Sequence, residues 1–150
     1  MSQSPATIFI LNGPSLNLLG EREPDIYGTD TIEALETKCR GRALQAGFEI
    51  VFRQTNDEGE LVGWIQQARL SASGIIINPA AFSHYSVAVR DALSAVGLPV
   101  IEVHISNIYA REEWRAKSVV SGVARGVIAG LGFHGYLLAI EAMSQILDTA

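Results

Sequence analysis

A chain of 150 residues, 48% of them apolar, is long enough to enclose one hydrophobic core, and we expect a single domain over residues 1–150. No apolar run is long enough to cross a bilayer, and residues 1–7 lack the basic start and apolar middle of a signal peptide, so we expect a soluble cytoplasmic protein without a membrane partner. The net charge of −5 and the lack of a basic cluster argue against a nucleic-acid binder, and a single cysteine, Cys39, excludes an internal disulfide and a thiolate metal cluster.

Apolar runs typical of buried strands alternate with stretches that carry apolar residues at helical spacing. Strands are predicted over 7–12, 48–54, 74–78, 100–104 and 123–129. The first helix is predicted to begin at a capping box of Asp30 and Glu33 and to end at Gly47. Its inner face is predicted to carry Ile32, Leu35, Cys39, Ala43 and Leu44. Later helices are predicted from residue 56 or 57, over 86–96 and over 133–147, and residues 105–121 are predicted to be a loop with one helical turn at 112–114.

The repeated strand-helix order predicts an α/β fold with a doubly wound parallel sheet of five strands, in three layers α/β/α. For five strands the common order is 2-1-3-4-5. In this order the sheet has its switch point between the first and third strands. The loops after Asn12 and Asn78 should therefore flank a crevice, with the loop after His104 beside them.

Polar groups gather where the fourth strand ends, in the stretch PVIEVHISN from Pro99 to Asn107. Glu102 and His104 stand two residues apart and therefore project from the same face of the strand. A carboxylate in this position can orient the imidazole and leave its other nitrogen to exchange a proton with a ligand. The alternative is a histidine held only by backbone groups.

The long loop after the first strand, Gly13 to Gly28, contains three glycines and two prolines and suits a hinged lid over the crevice. It carries Arg22 and Tyr27. A phenol is a poor base near neutral pH unless a cation stabilises its phenolate, which Arg22 or another arginine could do. Standing alone, Tyr27 would be an ordinary loop tyrosine that packs its ring.

Two further segments carry groups that suit a hydroxylated, carboxylate-bearing ligand. Asn78 ends the third strand, and His84 follows in a loop of small residues. A turn asparagine and a surface histidine explain that segment equally well. Arg111 and Arg115 lie one helical turn apart downstream of His104, where they could clamp an oxyanion or a diol.

The segment GLGFHG, with Gly130, Gly132 and Gly135, matches a dinucleotide-binding pattern between a strand and a helix. Because no second β-α-β half follows it in this sequence, we expect a tight β-α turn. A nucleotide or flavin binder is the alternative that this motif leaves open.

The motifs NGPSLNLLGEREPDIYG, INPAAFSHYSVAVRDAL, IEVHISN, AREEWR and GVIAGLGFHGYLLAIEA together resemble the type II 3-dehydroquinate dehydratases along nearly the whole chain. The resemblance implies a flavodoxin-like fold and a metal-free, cofactor-free lyase that converts 3-dehydroquinate to 3-dehydroshikimate and water through an enolate. It also implies a homo-oligomer, commonly a dodecamer built from trimers, in which Asp91 corresponds to a residue that reaches the site from a neighbouring subunit. The resemblance does not distinguish a role in the shikimate pathway of aromatic amino acid biosynthesis from a role in quinate catabolism.

The resemblance also assigns catalytic roles by position. Tyr27 corresponds to the base that removes the proton next to the ketone, and Arg22 to the residue that stabilises the resulting charge. His104 corresponds to the acid that protonates the departing hydroxyl, with Glu102 as its orienting carboxylate.

Substrate-binding positions follow from the same resemblance. Asn78 and the backbone of Ile105 and Ser106 correspond to the positions that bind the substrate carboxylate. His84 and Arg115 correspond to those that hold the ring hydroxyls.

One position departs from the pattern. The family usually reads NGPN where this chain reads NGPS, so Ser15 replaces an asparagine that helps to hold the water or oxyanion near the enolate. A hydroxyl is shorter and offers one donor rather than two. This departure keeps a second hypothesis open, a non-catalytic flavodoxin-like ligand-binding module in which Ser15 marks reduced or lost activity.

Overall fold

A computed structural model describes residues 4–21, 23–27 and 29–148 of the chain, and these contain a sheet of five parallel strands. The strands are β1 (Ala6–Asn12), β2 (Phe48–Gln54), β3 (Gly74–Asn78), β4 (Val100–His104) and β5 (Gly126–Ala129). Their order across the sheet is β2-β1-β3-β4-β5, as predicted. The switch point therefore lies between β1 and β3.

Helices cover both faces of the sheet and give the predicted α/β/α layers. A single turn, α1 (Pro24–Tyr27), precedes four longer helices: α2 (Ile32–Ala46), α3 (Glu58–Ser71), α4 (Val87–Val96) and α5 (His134–Asp148). α2 and α5 pack against one face, and α3 and α4 pack against the other. Within the described ranges, no helix is both long and apolar enough to span a membrane.

Strand β1 lies at the centre of the core, and its sequence explains why both faces of the sheet are covered. Successive side chains of a strand point to opposite faces. Ile8 and Ile10 pack with α2 and α5, whereas Phe9 and Leu11 pack with α3 and α4. All four side chains are buried, so an unbroken apolar run is required here rather than an alternating one.

The carboxyl ends of β1, β3 and β4 meet at one edge of the sheet. Asn12 pairs in register with Asn78, and Ile77 of β3 pairs with Glu102 of β4. The polar residues that end these strands, Asn12, Asn78 and His104, are therefore neighbours along one edge.

Helix α2 corrects two details of the prediction. Its N-cap is Thr31, whose Oγ1 accepts a hydrogen bond of 3.2 Å from the Ala34 amide, so the capping box of Asp30 and Glu33 is wrong. Leu44, predicted on the inner face, is 79% exposed. Ala43 occupies the buried position. Because successive side chains of a helix are about 100° apart around its axis, the side chain of Leu44 points away from the sheet.

Strand β5 is shorter at its start than the predicted 123–129. Residues Ser121–Val123 form a 3₁₀ turn, and the amides of Val123 and Ala124 bond back to the carbonyls of Val120 and Ser121. These amides are therefore not available to the sheet. The predicted loop 105–121 also contains 3₁₀ turns at Ile108–Ala110 and Glu113–Ala116.

The loops after β1 and β3 approach so closely that Gly13 has no room for a side chain. A Cβ at this position would lie 2.4 Å from the Pro79 carbonyl oxygen, which belongs to the backbone. We expect Gly13→Ala to lower the free energy of unfolding by about 1–3 kcal/mol, because the two loops must separate. Gly41→Ala on α2, where no atom lies within 4 Å of the added Cβ, is the matched control and should raise it by about 0.5–1 kcal/mol. Urea denaturation of both variants measures the difference, and equal midpoints would contradict the prediction.

Candidate active site

A cavity of about 110 Å³ opens at the carboxyl edge of the sheet, where the loops after β1, β3 and β4 meet. Most of the residues singled out from the sequence line it. They are Ser15, Tyr27, Asn78, His84, His104, Ile105, Ser106, Arg111 and Arg115. The structure therefore brings together segments from three parts of the chain. Arg22 lies outside the described residues.

A buried histidine–carboxylate pair lies at the cavity. His104 Nε2 is 2.5 Å from Glu102 Oε2, and the Glu102 side chain is fully buried. Ser118 Oγ donates to Glu102 Oε2 at 2.8 Å, and Ser121 Oγ donates to Oε1 at 2.6 Å. Burial works to raise the pKa of the Glu102 carboxyl, but the bonds from His104, Ser121 and Ser118 together hold that pKa below its usual value. Glu102 is thus an anion that binds Nε2 of the His104 imidazole.

Tyr27 and Arg111 form a second pair at the mouth of the cavity. Arg111 Nη1 donates to the Tyr27 hydroxyl at 2.7 Å and to Ser106 Oγ at 3.3 Å. The guanidinium carbon also lies 5.3 Å from the centre of the Tyr27 ring. The spacing of Arg111 and Arg115 predicted a clamp for an oxyanion or a diol, whereas in the structure Arg111 bonds the tyrosine hydroxyl.

His84, Trp114 and Arg115 lie together in the cavity lining. His84 Nδ1 is 2.8 Å from the Lys117 carbonyl oxygen, and because a carbonyl can only accept, Nδ1 carries the proton. The His84 ring packs edge-to-face against Trp114 at 5.5 Å, and the Arg115 guanidinium lies 4.2 Å from the Trp114 ring centre. Arg115 Nε also bonds Glu112. Trp114 also lines the cavity, although it was not among the site residues predicted from the sequence.

A buried hydrogen-bond network supports the floor of the cavity. The Tyr136 hydroxyl donates to Asn12 Oδ1 at 2.7 Å and accepts from Asn78 Nδ2 at 2.9 Å. Asn78 Oδ1 in turn accepts from the Ala80 amide at 3.1 Å. Burial raises the pKa of Tyr136, so its hydroxyl stays protonated and remains a donor. Tyr136 was not among the site residues predicted from the sequence.

Ser15 lies on the cavity wall in a left-handed backbone conformation, with φ 69° and ψ −3°. Its amide donates to Asn56 Oδ1 at 2.9 Å. Gln54 Nε2 donates to the same oxygen at 3.1 Å and to the Gly13 carbonyl at 3.1 Å. Gln54 at the end of β2 and Asn56 just after it therefore bond to the loop that follows β1.

Asp91 and Cys39, both considered from the sequence, lie away from the cavity. Asp91 is exposed on α4 and pairs with Arg90 at 3.3 Å, so its role at a neighbouring subunit's site stays a prediction. Cys39 is buried in the core, where burial, with Glu36 nearby, raises the pKa of the thiol to about 12. At neutral pH the thiol is therefore protonated and serves packing.

The glycines of GLGFHG form the tight turn that the sequence predicted. Gly130 and Gly132 have φ of 89° and 61°, in the region that favours glycine, and they connect β5 to α5. A Cβ at Gly130 would lie 3.1 Å from the Asn107 Cβ, so this turn also packs against the loop after β4. Across residues 4–21, 23–27 and 29–148, no group of three or more His, Cys, Asp or Glu side chains is placed to hold a metal ion.

Comparison with known proteins gives consistent matches along the chain. The family model described as dehydroquinase class II matches residues 6–144. A 3-dehydroquinate dehydratase of Streptomyces avermitilis is 57% identical over 145 residues, which cover 96% of this chain and 91% of that protein. A 3-dehydroquinate dehydratase 2 of Pseudomonas aeruginosa is 54% identical over 144 residues, covering 96% and 97%. The crystal structure of the type II dehydroquinase of Propionibacterium acnes superposes with a TM-score of 0.91 at 47% identity, covering 96% of this chain and 99% of that one.

Proposed function

Because the chain belongs to the class II dehydroquinase family, we propose that it dehydrates 3-dehydroquinate to 3-dehydroshikimate with Tyr27 as the base and His104 as the acid. A 3-dehydroquinate dehydratase is a lyase of the shikimate pathway. The observation that carries the proposed mechanism is that Tyr27, at the end of α1, and His104, at the end of β4, line the same cavity of about 110 Å³.

The reaction removes one proton from a substrate carbon and adds one proton to the departing hydroxyl. The Tyr27 phenolate takes the proton from the carbon next to the ketone, and the electron pair of that C–H bond forms an enolate. The enolate then collapses to a carbon–carbon double bond as the C–O bond to the β-hydroxyl breaks. His104 donates a proton to that hydroxyl, which departs as water, and the product is a conjugated enone.

Arg111 supports the assignment of Tyr27 as the base. Its Nη1 donates to the Tyr27 hydroxyl at 2.7 Å, so a cationic donor lies against the oxygen that is proposed to act as the base. We assign Arg22 the same function from the lid when substrate is bound. The two arginines would thus share the negative charge that develops on Tyr27.

Glu102 supports the assignment of His104 as the acid. Its carboxylate binds Nε2 at 2.5 Å and fixes the orientation of the ring, and we assign Nδ1 as the nitrogen that gives up the proton. Hydrogen bonds from the hydroxyls of Ser118 and Ser121 stabilise the negative charge of the Glu102 carboxylate, which is fully buried.

The remaining cavity residues are proposed to bind the substrate. Asn78 with the backbone amides of Ile105 and Ser106 would hold the carboxylate, and His84 and Arg115 would hold the ring hydroxyls. Because Nδ1 of His84 is bound to Lys117, its Nε2 is the acceptor in the neutral ring and suits a hydroxyl donor.

We also propose a cytoplasmic homo-oligomer, a dodecamer of trimers, in which Asp91 reaches the site of a neighbouring subunit.

A direct assay tests the proposed function. Purified protein is mixed with 3-dehydroquinate, and the absorbance of the conjugated enone product is followed with time. Steady formation of the product is the expected result. Substrate binding by calorimetry without any product would instead favour the non-catalytic module.

Ser15→Asn is expected to raise kcat by about 10- to 100-fold, because the carboxamide restores a donor next to the developing oxyanion. Ser71→Asn is the matched control, since Ser71 is exposed at the end of α3, at the opposite edge of the sheet from the cavity. Turnover of both variants is measured with the enone assay. Equal kcat for Ser15→Asn and the unaltered chain would refute the prediction.

A further inference from the structure

The backbone of Ser15 has a conformation that serine rarely adopts. With φ at 69° it lies in the left-handed region, where side chains other than those of glycine, asparagine and aspartate are disfavoured. The residue also lines the cavity between Pro14 and Leu16. Some contact must therefore hold this backbone in place, because the serine itself does not favour it.

The structure supplies that contact from outside the cavity. Asn56, an exposed residue between β2 and α3, accepts a 2.9 Å bond from the Ser15 amide through Oδ1. The same oxygen accepts a 3.1 Å bond from Gln54 Nε2, which also donates to the Gly13 carbonyl. Both contacts to Asn56 use its oxygen as an acceptor, so a carboxylate at position 56 would replace the carboxamide, whereas a methyl group would not.

Two backbone hydrogen bonds also restrain this part of the loop, but neither involves the Ser15 amide. The Gly13 amide donates to the Asn78 carbonyl at 2.8 Å, and the Leu18 amide donates to the Ser15 carbonyl at 3.0 Å. Neither bond restrains the peptide that enters Ser15.

We propose that Asn56 is a positioning residue that fixes the left-handed turn at Ser15 and so places this residue on the cavity wall for the reaction. Asn56 does not line the cavity and acts only through the Ser15 amide. The inference rests on the proposed dehydratase function, because Ser15 is assigned to the oxyanion that forms there.

Two variants at position 56 test the proposal. Asn56→Ala removes the acceptor and should lower kcat by about 10-fold with little change in KM, the scale of one lost hydrogen bond. Asn56→Asp keeps an acceptor oxygen and should recover kcat to within about twofold of the unaltered chain. If Asn56 only stabilised the β2–α3 loop, the loss of kcat in Asn56→Ala and its recovery in Asn56→Asp would not be expected. Equal kcat for Asn56→Ala, Asn56→Asp and the unaltered chain would overturn the proposal.

A double substitution tests whether Asn56 acts through Ser15. Asparagine adopts the left-handed conformation more readily than serine. In the Ser15→Asn background the effect of Asn56→Ala on kcat should therefore shrink to less than about threefold. The same drop in both backgrounds would show that Asn56 acts elsewhere and would overturn the proposal.

Amide hydrogen exchange provides a readout that does not depend on turnover. The Ser15 amide should exchange about tenfold faster in Asn56→Ala and at the original rate in Asn56→Asp, because protection follows the hydrogen bond. Absence of turnover in the unaltered chain would refute the proposed function, and the exchange rates would still decide whether Asn56 holds Ser15. Unchanged exchange in Asn56→Ala would overturn the positioning role.

Discussion

Replacing Tyr27 by phenylalanine is expected to lower kcat by about 10²- to 10⁴-fold, the scale that a general base contributes. The substitution keeps the ring and removes the hydroxyl that Arg111 binds at 2.7 Å. KM should change little, because the proposed substrate-binding groups lie elsewhere in the cavity. Steady-state kinetics with 3-dehydroquinate and the enone assay measure both constants.

A second tyrosine in the same region provides the control for this result. Tyr109 is 64% exposed, and Tyr109→Phe removes the same atom without altering the cavity lining. Its kcat should remain within about twofold of the unaltered chain. If Tyr27→Phe retained more than about a tenth of the original kcat, another group would have to be the base.

Tyr136→Phe is expected to lower the free energy of unfolding by about 2–4 kcal/mol. The hydroxyl is fully buried and bonds both Asn12 Oδ1 and Asn78 Nδ2, so its removal leaves a buried acceptor and a buried donor without their partner. Within the described ranges, every buried side-chain nitrogen and oxygen has a hydrogen-bond partner, so the variant introduces a defect that the fold otherwise lacks. Urea denaturation at one protein concentration measures the loss.

Tyr85→Phe controls for the loss of a tyrosine hydroxyl in general. Tyr85 is 61% exposed, and its substitution should change the free energy of unfolding by less than about 0.5 kcal/mol. A similar small change for Tyr136→Phe would show that water or a shifted side chain replaces the missing bonds. Asn78 would then be oriented by its contact to Ala80 rather than by the tyrosine.

The strands and the edge that carries the site were predictable because they depend on local patterns. The apolar runs GIIIN and TIFILN mark strands covered on both faces, and the polar residues Asn12, Asn78 and His104 mark where those strands end. The pairing of Glu102 with His104 was also predictable, since residues two apart in a strand share a face.

The partners of these residues were not predictable from spacing. Ser118 and Ser121 reach Glu102 from a segment of 3₁₀ turns without apolar periodicity, and Arg111 reaches Tyr27 across 84 positions of sequence. Helical periodicity places Tyr136 on the inner face of α5, but it does not say which atoms lie opposite. Such contacts follow from how elements pack, which a single sequence pattern does not record.

One continuous stretch, residues 111–121, contacts three functional groups at once. Arg111 bonds the proposed base, the Lys117 carbonyl bonds His84, and the hydroxyls of Ser118 and Ser121 bond the carboxylate behind the proposed acid. An inserted or deleted residue within this stretch would shift all of these contacts together, so its length is constrained more tightly than that of an ordinary surface connection. Exchanging this region between relatives would therefore preserve turnover only if the stretch were transplanted whole.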